Sequence, residues 1–191
     1  MPTKLEIAGR IIDEIIKPAL NKIPHNKLFI NVDLNTDSNG AIWKSIERVN
    51  CYEFYHQCMV KLGKLKRGKK SGYWKNIEIF GEVNKGSYGY LGTSKIPDLI
   101  FHQIGERNNF VVVEIKTSRN TKGIKKDWNT FHEFCASCDS LKYKRAVYII
   151  FGESLKVKKF DLREKYPSLR GKMRIFHHGK AGECLDIAQY R

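Results

Sequence analysis

Two carboxylates and a lysine stand close to one another in the middle of the chain. Asp98 follows Pro97 at the start of an apolar run, 97–103, and Glu114 and Lys116 close a second run, 111–116. A turn-forming segment at 105–109 separates the two runs, which predicts an antiparallel hairpin. Such a hairpin would bring Asp98 beside Glu114.

The spacing of Glu114 and Lys116 predicts which groups meet. Strand side chains alternate between the two faces of a sheet, so Glu114 and Lys116 would share a face while Ile115 points the other way. The Ile115 carbonyl then becomes available as a third oxygen ligand. Because Mg²⁺ prefers six oxygens and keeps several waters, two carboxylates and a carbonyl suffice to hold it against a phosphate. Lys116 would stabilise an attacking hydroxide or the charge on phosphorus.

Pro97, Asp98, Glu114 and Lys116 resemble the motif of the PD-(D/E)xK nuclease superfamily. The resemblance implies an α/β fold of the restriction-endonuclease-like kind, a mixed β-sheet flanked by helices with an α-β-β-β-α-β core at about residues 41–152. It also implies Mg²⁺, with Mn²⁺ able to substitute, bound by Asp98, Glu114 and the Ile115 carbonyl. The alternative is a structural salt bridge on a β-hairpin.

Many members of this superfamily carry a glutamate on the helix before the sheet. A helix is predicted here at about 41–62, and its apolar arc would consist of Ile42, Ile46, Val49, Tyr52, Tyr55, Met59 and Leu62. Glu53 and His56 fall inside that arc and Glu47 falls opposite. A carboxylate on a buried face must be paired or bound to metal. Glu53 is therefore the predicted assisting residue, with His56 or Gln57 as its partner; a simple buried ion pair is the alternative, and Glu47 is the second choice.

The charge of the chain indicates a polyanionic partner. Lys and Arg number 35 against 20 Asp and Glu, a net charge of +15, which attracts phosphate backbones. Residues 61–75 read as a flexible basic loop that contacts nucleic acid, DNA being favoured, although such a run also fits a solvated surface. The predicted contacts are basic residues and two aromatic residues that could stack on bases, together with a lysine near the scissile phosphate: Lys64, Lys66, Arg67, Lys69, Lys70, Tyr73, Trp74 and Lys125.

The remaining elements complete a single domain over residues 1–191. We expect a cap helix at 4–20, with Leu5, Ala8, Ile12, Ile15 and Ala19 on one side. We also expect a polar linker at 31–40, a mobile flap at 84–95, a strand at 145–152 and an edge strand at 173–177. A helix at about 121–139 would bury a stripe formed by Ile124, Trp128, Phe131, Cys135 and Cys138, and Asp127 would favour its N-terminus. The two cysteines are read as core, with a structural zinc site as the alternative.

Several classes of protein are disfavoured. No stretch approaches the roughly twenty apolar residues of a membrane span, and the N-terminus has no secretory pattern, so no membrane partner and a cytoplasmic location are expected. The leading hypothesis is a Mg²⁺-dependent DNA endonuclease of restriction, defence or mobile-element type. The alternatives are a non-cleaving nucleic-acid-binding subunit and an RNA nuclease or junction resolvase. A homodimer or a place in a larger complex is left open.

Overall fold

A computed structural model describes residues 2–24, 30–32, 42–44, 47–69, 71–82, 95–103, 106, 108–137, 141–152, 162–180 and 183–186. The α-helices are α1 (Lys4–Ile11), α2 (Lys17–Leu20), α3 (Glu47–Arg67), α4 (Ser71–Trp74) and α5 (Ile124–His132). The strands are β1 (Ile30–Val32), β2 (Ile42–Lys44), β3 (Ile77–Gly81), β4 (Leu99–Gln103), β5 (Asn108–Thr117), β6 (Arg145–Phe151), β7 (Met173–Lys180) and β8 (Glu183–Asp186). Two π-helical segments, Ile12–Ile16 and Glu133–Ser137, join α1 to α2 and extend α5.

The main sheet is mixed and has six strands in the order β3-β4-β5-β6-β7-β8. β4 pairs antiparallel with β3 and with β5, whereas β5, β6 and β7 run parallel to one another, and β8 returns antiparallel to β7. The predicted hairpin and the parallel crossover through α5 are therefore confirmed. The strands β1 and β2 form a separate antiparallel pair.

Two hydrophobic layers cover the two faces of this sheet. Val111, Val113 and Ile115 of β5 pack with α1 to α4 on one face, while Val112 packs with α5 on the other. β5 is the longest strand and is almost wholly buried, as expected for a central strand with helices on both sides. The mixed α/β architecture with flanking helices is thus present, and from α3 to β6 the chain runs helix, short helix α4, three strands, helix and strand.

The predicted cap helix at 4–20 is confirmed. Thr3 caps its N-terminus by accepting a hydrogen bond from the Glu6 backbone, and the Glu6 carboxylate accepts one in return from the Thr3 backbone. Ala8, Ile12, Ile15 and Ala19 are buried as the pattern predicted, together with Ile11 and Ile16. Leu5, which was assigned to the same face, is exposed.

The helix before the sheet differs from the prediction in its start and in its buried face. α3 begins at Glu47, and residues 42–44 form β2 instead. Its buried residues are Asn50, Phe54, Cys58 and Leu62, whereas Tyr52 and Met59 of the predicted arc are exposed. The helix has two overlapping apolar stripes, one with Tyr52, Tyr55 and Met59 and one with Phe54, Cys58 and Leu62. The second stripe is the one that packs in the hydrophobic core.

The prediction of a flexible basic loop at 61–75 is wrong for the residues that the structure describes. α3 continues to Arg67, and α4 follows at Ser71–Trp74. Trp74 belongs to the hydrophobic core and is 1% exposed, so its ring has no face for a base. Tyr73 packs against that core, edge-on to Trp74 and beneath the Arg10 guanidinium. Lys70 lies outside the described residues.

At the other end of the sheet, the prediction of an edge strand at 173–177 is also wrong, because β8 pairs beyond β7. Residues 33–40 of the polar linker, residues 84–94 of the flap and Cys138 lie outside the described part of the chain. Among the described residues, no helix is both long and apolar enough to cross a membrane.

Candidate functional site

The hairpin of β4 and β5 brings Asp98 against the end of β5. The pairing of Leu99 with Val113 is the last of the described register, and Asp98 lies just before it. Its Oδ2 accepts a hydrogen bond of 2.6 Å from the Ile115 backbone N–H. The predicted neighbourhood of Asp98 and Glu114 is therefore confirmed, because this bond fixes the carboxylate beside the residue that follows Glu114.

Glu114 and Lys116 point to the face of the sheet that α5 covers. Both side chains are buried, with 6% and 8% of their surface exposed. Ile115 lies between them in the sequence and packs into the opposite layer, as period-two alternation predicted. Glu114 also forms a side-chain hydrogen bond with Thr130 of α5. A carboxylate and an ammonium are thus held inside the protein at the end of its central strand.

Lys116 is held by two carboxylates that come from different helices. Its Nζ lies 3.3 Å from Asp127 Oδ2 in α5 and 3.4 Å from Glu47 Oε1 at the first residue of α3. The Tyr148 hydroxyl donates a 2.8 Å hydrogen bond to Asp127 Oδ2, and the Asn120 side-chain amide donates one of 3.2 Å to Glu47 Oε2. Both carboxylates are therefore fixed by a second partner.

Asp127 and Tyr148 were not among the residues predicted to form this cluster. Asp127 was expected to act on the helix N-terminus, but it is only 5% exposed and faces Lys116. The sequence did indicate that Asp127 is buried. It follows Ile124 by three residues and precedes Phe131 by four, which places it on the buried stripe of α5. Tyr148 gave no signal, since it lies within the unbroken apolar run of β6.

Burial perturbs the two carboxylates of the hairpin. It raises the pKa of Asp98 to about 6, against the hydrogen bond from Ile115, and the charges of Glu47 and Asp127 add to the rise. Burial likewise raises the pKa of Glu114 well above its ordinary value, and the neighbouring charges of Asp98 and Asp127 raise it further. The attraction of Lys116 opposes both shifts and does not outweigh them. The pair therefore has more negative charge than its surroundings compensate.

Ion pairing outweighs burial at Lys116, whereas burial outweighs ion pairing at its partner Asp127. Burial lowers the pKa of Lys116, but Asp127 and Glu47 outweigh it, so the pKa is raised and the side chain is an ammonium. Burial raises the pKa of Asp127, against the favourable contacts with Lys116 and with Tyr148. Lys116 and Asp127 thus form a buried ion pair within the cluster.

Glu53, the predicted assisting residue, is paired within its own helix. Its Oε1 accepts a 2.8 Å hydrogen bond from Gln57, one turn further along α3. The burial of Glu53 and His56 was inferred from the wrong arc, and Glu47, the second choice, is the helical glutamate that reaches Lys116. Gln57 is confirmed as a partner of Glu53.

The predicted nucleic-acid contacts fall into two groups. Lys64, Arg67 and Lys69 are exposed at the end of α3, whereas Lys66 is paired with Glu78 of β3 at 2.7 Å. Lys125 is exposed on the first turn of α5, close in sequence to Asp127. Lys125 lies two residues from Asp127, whereas Lys64, Lys66 and Arg67 lie at the end of α3 opposite to Glu47, the residue that α3 contributes to the cluster.

The sequence left two candidate metal sites, a structural zinc site at the cysteines of α5 and a Mg²⁺ site at the acidic pair of the hairpin. Ile124, Trp128, Phe131 and Cys135 are buried together, as the stripe predicted. Among the residues that the structure describes, no group of three or more His, Cys, Asp or Glu side chains is arranged to hold a metal ion. At the hairpin, two carboxylates, Asp98 and Glu114, are the protein side chains that could contribute to a cation site.

Comparison of the chain with protein-family models, with curated protein sequences and with solved structures finds no match.

Proposed function

We propose that this protein is a Mg²⁺-dependent nuclease, a DNA endonuclease built on a restriction-endonuclease-like fold of the PD-(D/E)xK kind. The observation that carries the proposal is the pair Asp98 and Glu114, which lie beside each other at the end of the central strand with raised pKa values. Glu114 is buried, Asp98 is partly buried, and Lys116 follows Glu114 by two residues. Burying two carboxylates is unfavourable unless a cation compensates them. In a nuclease, a metal ion bound by these carboxylates would supply that cation.

The donor set fits a magnesium ion. Mg²⁺ is commonly bound through one or two carboxylates and completes its six ligands with water and substrate phosphate, so a third acidic side chain is not needed. In a strand, the N–H and C=O of one residue point toward the same neighbour. Because the Ile115 N–H meets Asp98, the Ile115 carbonyl faces that side too. Asp98, Glu114 and the Ile115 carbonyl would hold the metal.

The remaining residues of the cluster would act on the substrate and on one another. When bound, Mg²⁺ polarises a phosphoryl oxygen and lowers the pKa of a bound water. Lys116 is an ammonium and stabilises negative charge that develops on the attacking water or on the phosphoryl group. Asp127 and Glu47 orient Lys116, and Tyr148 and Asn120 in turn hold those carboxylates. Glu47 replaces Glu53 as the helical glutamate of the mechanism.

A polyanionic substrate is supported by the net charge of +15. A field of this sign raises the rate of encounter with phosphate backbones and strengthens binding at low salt. The same charge fits DNA and RNA, so an RNA nuclease or a junction resolvase remains an alternative to the DNA endonuclease.

A second candidate function is a subunit that binds nucleic acid without cutting it. One observation favours it: Lys116 is already engaged by Asp127 and Glu47, at 3.3 and 3.4 Å. The two carboxylates offset the positive charge of the lysine, so its attraction to a phosphate is weaker. On this view the cluster is a structural ion-pair network between α3, β5 and α5.

A cleavage assay tests the two functions. Supercoiled, linear and single-stranded DNA, and RNA, are incubated with the protein and Mg²⁺, Mn²⁺ or EDTA. We expect metal-dependent cutting, and its loss in Asp98→Ala, Glu114→Ala and Lys116→Ala; Glu78→Ala, a carboxylate of β3 at the other end of α3, is the matched control. Full activity of Glu114→Ala would overturn the site. No cutting of any substrate by the wild type would favour the binding subunit.

A further inference from the structure

The connection from β5 to α5 carries a concentration of positive charge. Residues 117–126 include four cations and no acidic residue. We call these cations, all of which are exposed, the basic rim: Arg119, Lys122, Lys125 and Lys126. The next residue, Asp127, is acidic but buried against Lys116, so its charge is turned inward.

Two contacts fix this connection directly beside the carboxylate cluster. The Asn120 side chain donates a hydrogen bond to Glu47, and its own oxygen accepts one of 3.1 Å from the Lys122 backbone. Gly123 adopts a positive φ of 81°, and a Cβ on it would lie 3.7 Å from Lys116 Nζ. Consecutive α-carbons are about 3.8 Å apart. Arg119 and Lys122, which adjoin Asn120 and Gly123, therefore start immediately outside the site.

The cluster is negatively charged, so nearby cations are needed if a phosphate is to approach it. Among the residues that the structure describes, four carboxylates, Glu47, Asp98, Glu114 and Asp127, interact electrostatically with one ammonium, that of Lys116. A polyanion would be repelled by that excess, and one divalent cation offsets only part of it. Exposed cations next to the cluster would offset the rest, since exposed Lys and Arg are the usual partners of backbone phosphates.

We propose that the basic rim binds the phosphate backbone of nucleic acid beside the phosphodiester that faces Asp98 and Glu114. The proposal rests on the proposed function, because it takes the carboxylate cluster as the reacting centre. It moves the main substrate contact from the end of α3, where the sequence predicted it, to the β5–α5 connection. A membrane surface fits less well, because the large exposed apolar residues of the described chain lie elsewhere: Leu5, Tyr52, Met59, Val60, Phe80 and Ile96.

The end of α3 offers a matched control. Lys64, Arg67, Lys69 and Lys75 are also four exposed cations. Glu47, at the site, and Arg67 are the first and last residues of a 21-residue helix, and a helix rises about 1.5 Å per residue. Lys64 and Arg67 therefore lie roughly 25 to 30 Å along the helix from Glu47. Neutralising either group removes the same net charge, so a general field effect would be equal in both.

The experiment compares two fourfold variants with the wild type. One carries Arg119→Gln, Lys122→Gln, Lys125→Gln and Lys126→Gln; the other carries Lys64→Gln, Arg67→Gln, Lys69→Gln and Lys75→Gln. Binding to a fluorescent 20-base-pair duplex is measured in EDTA over a range of salt concentrations, after thermal unfolding has confirmed that each variant folds. The magnitude of the log-log salt slope falls by about 0.9 for each phosphate that the protein no longer neutralises.

We expect the slope of the rim variant to be smaller in magnitude than that of the wild type by about 2 to 4, and the slope of the control variant by less than about 1. Equal reductions in both variants, a larger reduction in the control, or no duplex binding by the wild type would overturn the proposal. So would a rim variant that loses binding to phosphatidylserine vesicles while keeping its duplex slope.

Cleavage, assayed separately with Mg²⁺, tells the two proposals apart. A rim-dependent salt slope in a protein that cuts no substrate supports the binding surface and removes the proposed reaction. Normal cutting by the wild type and by the rim variant, with an unchanged slope, removes the binding surface and leaves the reaction.

Discussion

The two ends of α3 contain similar kinds of charged residue in opposite environments. At its first residue, Glu47 meets Lys116 among buried carboxylates. At its last turn, Lys64 and Arg67 are exposed, and Lys66 forms a half-exposed pair with Glu78. Exposed pairs contribute little to stability, whereas burial changes pKa values and requires partners. Burial therefore distinguishes the candidate site, whereas the density of charge in the sequence does not.

The largest effect is expected from an aromatic residue at the basic end. Trp74→Ala should lower the free energy of unfolding by about 3 to 5 kcal/mol, because it empties a fully buried position of the core. Urea unfolding measures this. Tyr52→Ala, on the exposed side of α3 at 59% exposure, should change stability by less than about 0.5 kcal/mol. A stable Trp74→Ala protein with weakened binding to single strands would restore the stacking role.

At the site end, removing a buried charge should stabilise the metal-free protein. The folded protein holds the Asp98 proton more tightly than the unfolded chain, since burial raises its pKa from 3.8 to about 6. Wild-type stability therefore falls as pH rises through this window. Asp98→Asn keeps an oxygen for the Ile115 N–H and has no charge to bury, so it should be more stable above pH 6 by up to about 3 kcal/mol, and equal below pH 4.

Urea unfolding in EDTA at pH 4 and pH 8 checks this prediction. Glu78→Gln, at the basic end, should change stability by about 1 kcal/mol or less at either pH. An Asp98→Asn protein that is less stable than the wild type at pH 8 would mean that the carboxylate is already compensated. Adding Mg²⁺ should raise the stability of the wild type and leave Asp98→Asn nearly unchanged.

Asp127 tests whether the ion pair of α5 positions the lysine. Asp127→Asn keeps an acceptor for Tyr148 but removes the charge that faces Lys116. We expect single-turnover cleavage to slow by about a hundredfold at saturating substrate, the range for residues that orient a reacting group, with duplex affinity changed only a few-fold. Asp13→Asn, at a surface residue of the π-helical segment Ile12–Ile16 that is paired with Lys17, is the control. A loss of rate no greater than the loss of folded protein would make Asp127 structural.

The smallest effect distinguishes the two glutamates of α3. Glu47→Gln should slow cleavage by about tenfold, because Glu47 is partly exposed and shares Lys116 with Asp127. Glu53→Gln should change the rate by less than about twofold, since its described partner is Gln57. Single-turnover rates of the two variants decide the matter, and a larger loss in Glu53→Gln would reverse the assignment.

The sequence predicted the parts of the fold whose periodicity is clear. Residues Val111 to Val113 and the apolar run at 145–151 belong to central strands. The turn-forming sequence at 105–109 predicted that β4 pairs with β5, so the proximity of Asp98 to Glu114 followed. The buried face of α3 was not predictable in this way. Aromatic residues occur on several sides of that helix, and packing against the sheet determines which of them are buried. The burial of Trp74 was not predicted for a related reason. Its neighbours in the sequence are basic, and local composition alone then predicts an exposed segment.

The contacts of Lys116 also bear on when the cluster can form. Glu47 lies 69 positions before Lys116, and Tyr148 lies 21 positions after Asp127. Contacts between such distant segments require closing long loops, which slows their formation relative to local helices. A chain still emerging from the ribosome without β6 lacks Tyr148 and one side of β5, so its carboxylates remain in water with ordinary ionisation. The perturbed cluster is a property of the finished sheet and is absent from any nascent fragment that ends before β6.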